Sequence, residues 1–202
     1  MRISGWGRYP DAVAEMIEPV SHQAVQNLFA ENPQRCQIIS RGSGRSYGDS
    51  ALAEHVLSTR FFDNFISLNT DKNTVRCGSG VRLKEVLHLV IPKGYFPPVL
   101  PGTKYVTVGG AIAADIHGKN HHREGSFCQH VSALTLLLAN GELISCSESE
   151  NKELFFATCG GMGLTGIILD ATFGLKKVPS ASINQRTQSS INITKLSSSL
   201  YI

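Results

Sequence analysis

The stretch PGTKYVTVGGAIAADIHGKNHH, residues 101–122, is the most informative part of this sequence. From Val106 to Ala114 no side chain is larger than that of isoleucine, and two glycines are adjacent at positions 109–110. Small side chains let the backbone approach a flat or phosphorylated ligand closely. Polar residues, three of them histidines, follow within Asp115–His122. The segment therefore predicts a ligand site whose chemistry lies at its C-terminal end.

Another glycine-rich stretch, RGSGRSYGD, occupies residues 41–49. Because it comes earlier in the chain, we name residues 40–50, which contain it, the first glycine loop. It follows Cys36–Ser40, which is predicted to be a short buried strand. Its three glycines, two serines and two arginines offer backbone N–H donors and positive charge, which suits a diphosphate. An ordinary solvated loop is the alternative, and the loop by itself does not decide between the two.

A G-x-G-x-x-G pattern occurs at Gly161–Gly166. A dinucleotide fingerprint needs a strand before this pattern and a helix after it. Here the predicted helix Glu150–Thr158 precedes the glycines and the predicted strand Ile167–Leu175 follows them. The order is reversed, so we expect a tight turn that lets the backbone of residues 167–168 approach a ligand, not a nicotinamide site.

The remaining sequence alternates short helices with hairpins. Helices are predicted at Ser21–Glu31 and Leu83–Val90, and hairpins at Phe65–Cys77 and Val131–Ser145. The Gly/Pro-rich segment Lys93–Pro101 is typical of a subdomain boundary. This pattern predicts an α+β fold, because a doubly wound sheet would need regular alternation of strands and helices.

The amino-acid composition of these 202 residues argues against several classes of function. A net charge of +3 without a dense basic run argues against nucleic-acid binding. Five cysteines, an odd number with no C-x-x-C pair, favour free thiols in a reducing compartment. We expect no signal peptide and no transmembrane segment, because the N terminus lacks an apolar core and the apolar runs are short. The single tryptophan, Trp6, is expected to anchor the N-terminal turn in the core.

His117, His121 and His122 raise the question of a metal site. Gly118 and Asn120 interrupt any helix that would align the first two histidines, and no Cys or carboxylate completes a known ligand spacing. We therefore predict no metal. A catalytic or cofactor-contacting role is expected for His117, which directly follows the run of small residues. A serine or cysteine nucleophile has no supporting motif.

The motifs GWGR, RGSGRSYGD, PVLPGTKYVTVGGAIAADIHGKNHH, GSF and GGMGLTGII occur in this order between Gly5 and Thr172. Together they resemble the FAD-binding domain of the vanillyl-alcohol oxidase / p-cresol methylhydroxylase superfamily, and most of all its branch of decaprenylphosphoryl-β-D-ribose 2-oxidases. The resemblance implies an FAD-binding domain over residues 5–175 made of two α+β subdomains, about 5–98 and 99–175. Residues 176–202 would be a linker or the start of a substrate domain absent from this chain.

The resemblance also implies which residues contact FAD. The first glycine loop would wrap the diphosphate, and a second loop around residues 102–110 would lie against the diphosphate and ribityl chain. Residues 114–117 would pass beside the isoalloxazine ring, and Ile168 would present backbone to the adenine side. The implied cofactor-binding residues are Ser40, Arg41, Gly42, Ser43, Gly44, Arg45, Ser46, Tyr47, Gly48, Asp49, Ser50, Gly102, Thr107, Val108, Gly109, Gly110, Ala114, Asp115, Ile116, His117 and Ile168.

Many members of the superfamily attach FAD covalently through a histidine of the first loop. This loop contains no histidine, so we predict non-covalent FAD.

The implied reaction is oxidation of the C2 hydroxyl of a polyprenyl-phosphoryl ribose to the keto sugar, for arabinose-precursor synthesis. His117 would be catalytic by orienting the sugar or tuning the flavin, and Lys119, with Asn120, would hold the lipid phosphate. A short-chain dehydrogenase-type reductase is the implied partner, in the cytoplasm or at the inner membrane. The alternatives are a sugar-alcohol or aldonolactone oxidase acting on a small molecule, and a flavin-binding module without catalysis. Without a substrate domain, we expect this chain alone to show no turnover.

Overall fold

A computed structural model describes residues 1–31, 37–185, 187 and 189–195. Within them the strands are β1 (Arg2–Ser4), β2 (Asp11–Val13), β3 (Glu15–Ile17), β4 (Ile38–Arg41), β5 (His55–Ser58), β6 (Phe65–Asn69), β7 (Thr74–Gly78), β8 (Tyr95–Phe96), β9 (Val131–Leu137), β10 (Leu143–Ser147), β11 (Ile167–Gly174) and β12 (Lys176–Lys177). The α-helices are α1 (His22–Glu31), α2 (Leu83–Val90), α3 (Val108–Ala113), α4 (His121–Glu124) and α5 (Lys152–Thr158). The predicted α+β class is confirmed.

The described strands form two larger sheets and two antiparallel pairs, β1-β2 and β12-β8. A three-stranded parallel sheet has the order β3-β5-β4, and a five-stranded antiparallel sheet has the order β10-β9-β11-β7-β6. The five-stranded sheet combines strands from before and after residue 98, and the chain passes from the parallel sheet to the five-stranded sheet between Ser58 and Phe65. The division into subdomains at about residue 98 stays a prediction.

The main hydrophobic core lies between the five-stranded sheet and helices α2, α3 and α5. Leu83, Val86 and Val90 of α2 and Ile112 of α3 are fully buried against sheet residues such as Phe173. Each such side chain contributes about 1.5–3 kcal/mol when it leaves water. This packing fixes α3 on the sheet.

A second core joins the two sheets. Val25 and Phe29 of α1 pack with Leu57 of the parallel sheet and with Leu137 and Leu169 of the antiparallel sheet. Because β4 continues directly into the first glycine loop, this core sets the position of that loop relative to α3.

The predicted hairpins and the helices α1 and α2 are confirmed within a few residues at their ends. The predicted helix 150–158 begins at Lys152. Cys36 lies outside the described residues, and the strand predicted from it is seen as Ile38–Arg41. Helix α3 was not predicted, because two adjacent glycines disfavour a helix in the absence of tertiary contacts.

The expectation that Trp6 is a core anchor is wrong. Its side chain is 55% exposed, and the guanidinium of Arg45 lies 4.8 Å from the ring centroid. The turn is fixed through its backbone instead, since the Trp6 N–H donates to the Ser46 carbonyl at 2.8 Å. The N-terminal turn therefore packs on the first glycine loop.

Candidate cofactor site

A cavity of about 150 Å³ opens where the first glycine loop meets α3. The residues predicted to bind cofactor that line it are Ser40, Gly42, Ser43, Gly44, Arg45, Ser46, Ser50, Thr107, Gly109, Gly110, Ala114, Ile116 and Ile168. Segments separated by more than 100 residues in the sequence thus meet at one cavity, as the motif resemblance implied. The assignment of individual contacts to a cofactor stays a prediction.

The two glycine segments touch directly. A Cβ at Gly42 would lie 2.2 Å from Thr107 Oγ1, and a Cβ at Gly109 would lie 2.9 Å from the Cβ of Ser79. Neither distance is tolerated by real side chains, so glycine is needed at both positions for close approach. The glycines at positions 42 and 109 therefore allow the cavity walls to pack on each other.

The Arg41 side chain stabilises the first glycine loop on the side away from the cavity lining. Its guanidinium donates to the carbonyls of Ser4 at 2.7 Å and Ala51 at 3.1 Å, and a Cβ at Gly44 would lie 2.3 Å from Arg41 Nη2. Burial lowers the pKa of Arg41 from its ordinary value. Arg41 is outside the cavity lining, so its charge is used to fix the loop.

The start of α3 is closed by hydrogen bonds within the protein. Thr107 Oγ1 accepts from the Gly110 N–H at 3.3 Å. The Val108 N–H donates to the Val81 carbonyl and the Gly109 N–H to the Ser79 carbonyl, both at 2.8 Å. These three N–H groups already have partners, and the Val108 side chain lies in the core. The second loop therefore shapes the cavity more than it supplies donors to it.

The backbone after α3 bends at Asp115. This residue has a φ of 39°, and its Oδ1 accepts from the Cys128 N–H at 2.9 Å. His117 is exposed, and its ring centroid lies 5.5 Å from that of His121. Asp115 and His117 are outside the cavity lining, so the expected contacts of these two residues with a cofactor stay predictions.

Lys119 is exposed on the same turn, two residues after His117. Asn120 is engaged differently, because its Nδ2 donates to the Pro98 carbonyl at 3.0 Å. The Asn120 amide thus ties the turn to the preceding segment. Of the two residues expected to hold a lipid phosphate, Lys119 is the one whose side chain is exposed.

Four other predicted residues lie at the edge of the first cavity or away from it. Tyr47 and Gly48 are exposed, and Tyr47 is 73% accessible. Asp49 lines a neighbouring cavity of about 540 Å³, and Gly102 has no heavy atom within 4 Å of its ideal Cβ.

The neighbouring cavity shares Ser50, Met162 and Gly163 with the first. Helix α5 precedes the G-x-G-x-x-G pattern and β11 follows it, which confirms the reversed order seen in the sequence. The loop between them forms a wall common to the two cavities.

The residues that line the first cavity without having been predicted are Ala51, Thr59, Ser79, Val106, Ala113, Met162 and Gly163. Ser79 is fully buried, and its Oγ has no hydrogen-bond partner within the described part of the chain. Buried hydroxyl groups are rarely left unpaired in proteins. The Gly-Ser-Gly turn at residues 78–80 was the sequence signal that could have pointed to it.

The donor set of the cavity fits FAD. Glycine cradles, serine hydroxyls and one orphaned buried hydroxyl suit a ligand with many acceptor oxygens. None of the described residues lining the first cavity is a histidine, cysteine or tyrosine. In the described ranges, no group of three His, Cys, Asp or Glu side chains is arranged to hold a metal ion, and no helix is long and apolar enough to cross a membrane.

The sequence profile of the family described as FAD binding domain matches residues 13–147. The chain is 41% identical over 89% of its length to decaprenylphosphoryl-beta-D-ribose oxidase of Mycolicibacterium smegmatis, of which it covers 40%. It is 28% identical over 93% of its length to L-gulonolactone oxidase of Bos taurus, covering 42%. It is 29% identical over 84% of its length to cytokinin dehydrogenase 10 of Oryza sativa subsp. japonica, covering 32%. The chain thus spans between 32% and 42% of the length of these three relatives.

Proposed function

The chain belongs to the FAD binding domain family, and from this premise we propose that it is the cofactor-holding part of a flavin-dependent oxidoreductase. Its substrate would be a polyprenyl-phosphoryl ribose, oxidised at the C2 hydroxyl to the keto sugar. The observation that carries the proposal is the meeting of the first glycine loop and α3 at Gly42 and Thr107, beside a cavity lined by glycines, hydroxyl groups and Arg45. The substrate choice draws on the 41% identity to the mycobacterial oxidase.

FAD, when bound, would take up the hydride from the substrate carbon. The protein's own part is to hold the cofactor, orient the substrate and supply charge. We assign orientation of the sugar to His117 and contact with the lipid phosphate to Lys119, because both are exposed on the turn that follows the cavity wall.

We propose that FAD is held non-covalently. The first glycine loop has no histidine, and the described lining of the first cavity offers no histidine, cysteine or tyrosine side chain for attachment. Acid precipitation of the loaded protein tests this: the flavin should remain in the supernatant. Flavin that stays with the precipitated protein would contradict the proposal.

The reaction is best tested in a chimera, since the relatives are longer than this chain. The matching region of the Mycolicibacterium smegmatis protein is replaced by these residues, and flavin bleaching is followed without oxygen. A polyprenyl-phosphoryl ribose should bleach the flavin and a soluble aldonolactone should not. The His117→Ala chimera should keep its flavin and lose turnover; unaltered turnover would remove the catalytic role of His117.

An aldonolactone or sugar-alcohol oxidase is the second candidate, favoured by the similarity to L-gulonolactone oxidase over 93% of the chain. Bleaching by lactone or alditol alone would select it. A flavin-bound chimera that no sugar bleaches would instead select the third candidate, a flavin-binding module without catalysis.

The proposal extends to a partner enzyme and to a location in the cell. A keto sugar product calls for a reductase to complete epimerisation, and we propose a short-chain dehydrogenase-type enzyme acting at the cytoplasmic face of the inner membrane. A coupled assay with such a reductase should consume nicotinamide cofactor only when the chimera and its sugar substrate are both present.

A further inference from the structure

The buried side chain of Ser79 has no hydrogen-bond partner among the described residues. This residue follows β7 in the turn before α2, and its backbone is fully engaged: its N–H donates to the Leu169 carbonyl at 2.9 Å, and its carbonyl accepts from the Gly109 N–H at 2.8 Å. Its side chain is fully buried, yet Oγ has no partner in the described ranges. An unpaired buried hydroxyl costs about 1–3 kcal/mol, so its presence at a cavity wall points to a missing ligand atom.

The neighbours of Ser79 place its hydroxyl where the two glycine segments meet. Its Cβ lies under Gly109, close enough that a Cβ there would come within 2.9 Å. Thr107, next to Gly109, is the residue that Gly42 of the first glycine loop approaches. Ser79 therefore lines the cavity beside α3, close in the fold to the contact between Gly42 and Thr107.

Several other polar groups around this point already have partners within the protein. Thr107 Oγ1 accepts from the Gly110 N–H at 3.3 Å, and Thr59 Oγ1 donates to the Arg41 carbonyl at 3.4 Å. The Arg41 guanidinium is directed to two backbone carbonyls behind the loop. Arg45 is the charged residue of the described cavity lining, and the Ser79 hydroxyl is a neutral donor there that lacks an internal partner in the described ranges.

We propose that the Ser79 hydroxyl donates a hydrogen bond to a diphosphate oxygen of the bound cofactor. The inference rests on the proposed FAD binding. The diphosphate is the part of FAD that carries negative charge and only acceptor oxygens, and hydrogen bonds to charged acceptors are stronger than neutral ones. Ser79 would thereby supply affinity that backbone N–H groups 108–110 cannot give, since these are occupied.

The test compares Ser79→Ala with Ser58→Ala by calorimetric titration of the full chain with FAD, ADP and riboflavin. Ser58 is a matched control, because it is also buried but its Oγ accepts from the Arg60 N–H and lies outside the cavity lining. Ser79→Ala should weaken the affinities for FAD and for ADP by the same factor, about tenfold or more, and leave the affinity for riboflavin unchanged. Ser58→Ala should alter none of the three affinities.

Stability of the cofactor-free protein separates ligand contact from a structural role. Removing an unpaired buried hydroxyl should leave the urea midpoint of Ser79→Ala unchanged or raise it. Unchanged affinity for FAD and ADP would overturn the inference, as would weakened riboflavin binding with intact ADP binding. A wild-type chain that binds neither FAD nor ADP would instead overturn the proposed function, and the inference with it.

Discussion

The first glycine loop and helix α3 face the same cavity but are held in different ways. The loop is irregular and partly exposed, and it is fixed by the Arg41 side chain and by one backbone hydrogen bond from Trp6. Helix α3 is short, yet Val108 and Ile112 are fully buried in the main core. The exposed residues of the loop can therefore be altered at small cost to folding, whereas α3 is part of the folding core, and the predictions below test this division.

The largest effect is expected from Ile112→Ala on the α3 side. This substitution removes buried methyl groups from the main core and should lower the free energy of unfolding by about 2–5 kcal/mol. The matched substitution on the loop side, Tyr47→Ala, should change it by less than about 0.5 kcal/mol because Tyr47 is exposed. Urea titrations of the cofactor-free variants measure both values. Equal losses would show that the loop is as much a part of the core as α3.

The next effect should come from the point where the two regions touch. Gly42→Ala places a Cβ against Thr107 and should cost about 1–3 kcal/mol of stability. Gly102→Ala is the control, since its Cβ would meet open space, and its urea midpoint should not fall. The Gly42→Ala/Thr107→Ala double variant should recover part of the loss, because the clashing Oγ1 is absent. Additive losses would mean that the two regions do not press on each other at Gly42.

Removal of the α3 cap is predicted to have a smaller effect. Thr107→Ala leaves the Gly110 N–H without its side-chain acceptor and should lower the unfolding free energy by about 1 kcal/mol. Thr107→Ser keeps the acceptor and should stay near wild type. If both variants behave alike in urea, the methyl group rather than the hydroxyl of Thr107 supports α3.

The two regions also differ in how well the sequence predicts them. The glycines and serines of the first loop indicate an irregular segment after a strand, and residues 38–50 have that form. Helix α3 could not be predicted, because its glycines lower helix propensity. It is fixed by tertiary contacts, those of Val108 and Gly109 with the 79–81 turn and that of Ile112 with the main core.

Most of the cavity lining in the first glycine loop and α3 follows from motifs that resemble a known family. Ser79 does not, because it reaches the cavity only through the packing of the 78–80 turn beneath Gly109. The prediction for Trp6 is wrong because an aromatic residue suggests burial. Here the neighbouring Gly5 packs on the first glycine loop, and the Trp6 ring stays exposed. Tertiary contacts of this kind have no period or spacing in the sequence.

The smallest effect is a pH dependence confined to the sheet beneath α3. Burial, followed by the negative charge of Asp170, raises the pKa of Cys77 on β7 from 9.0 to about 12. The folded protein thus binds this proton more tightly than the unfolded chain. The resulting stability is present below about pH 9 and is lost as the pH rises toward 12, with a loss of less than about 1 kcal/mol at pH 9.5.

Urea titrations between pH 7 and alkaline pH should show this loss in the wild type, and Cys77→Ala should have a shallower alkaline slope whatever its stability at neutral pH. Other alkaline titrations contribute equally to both proteins, so the difference between the two slopes reports Cys77 alone. The first glycine loop contains no cysteine, and Tyr47→Ala should retain the wild-type slope. Identical slopes for wild type and Cys77→Ala would mean that water reaches β7, and the sheet that carries α3 would then be no better protected than the loop opposite.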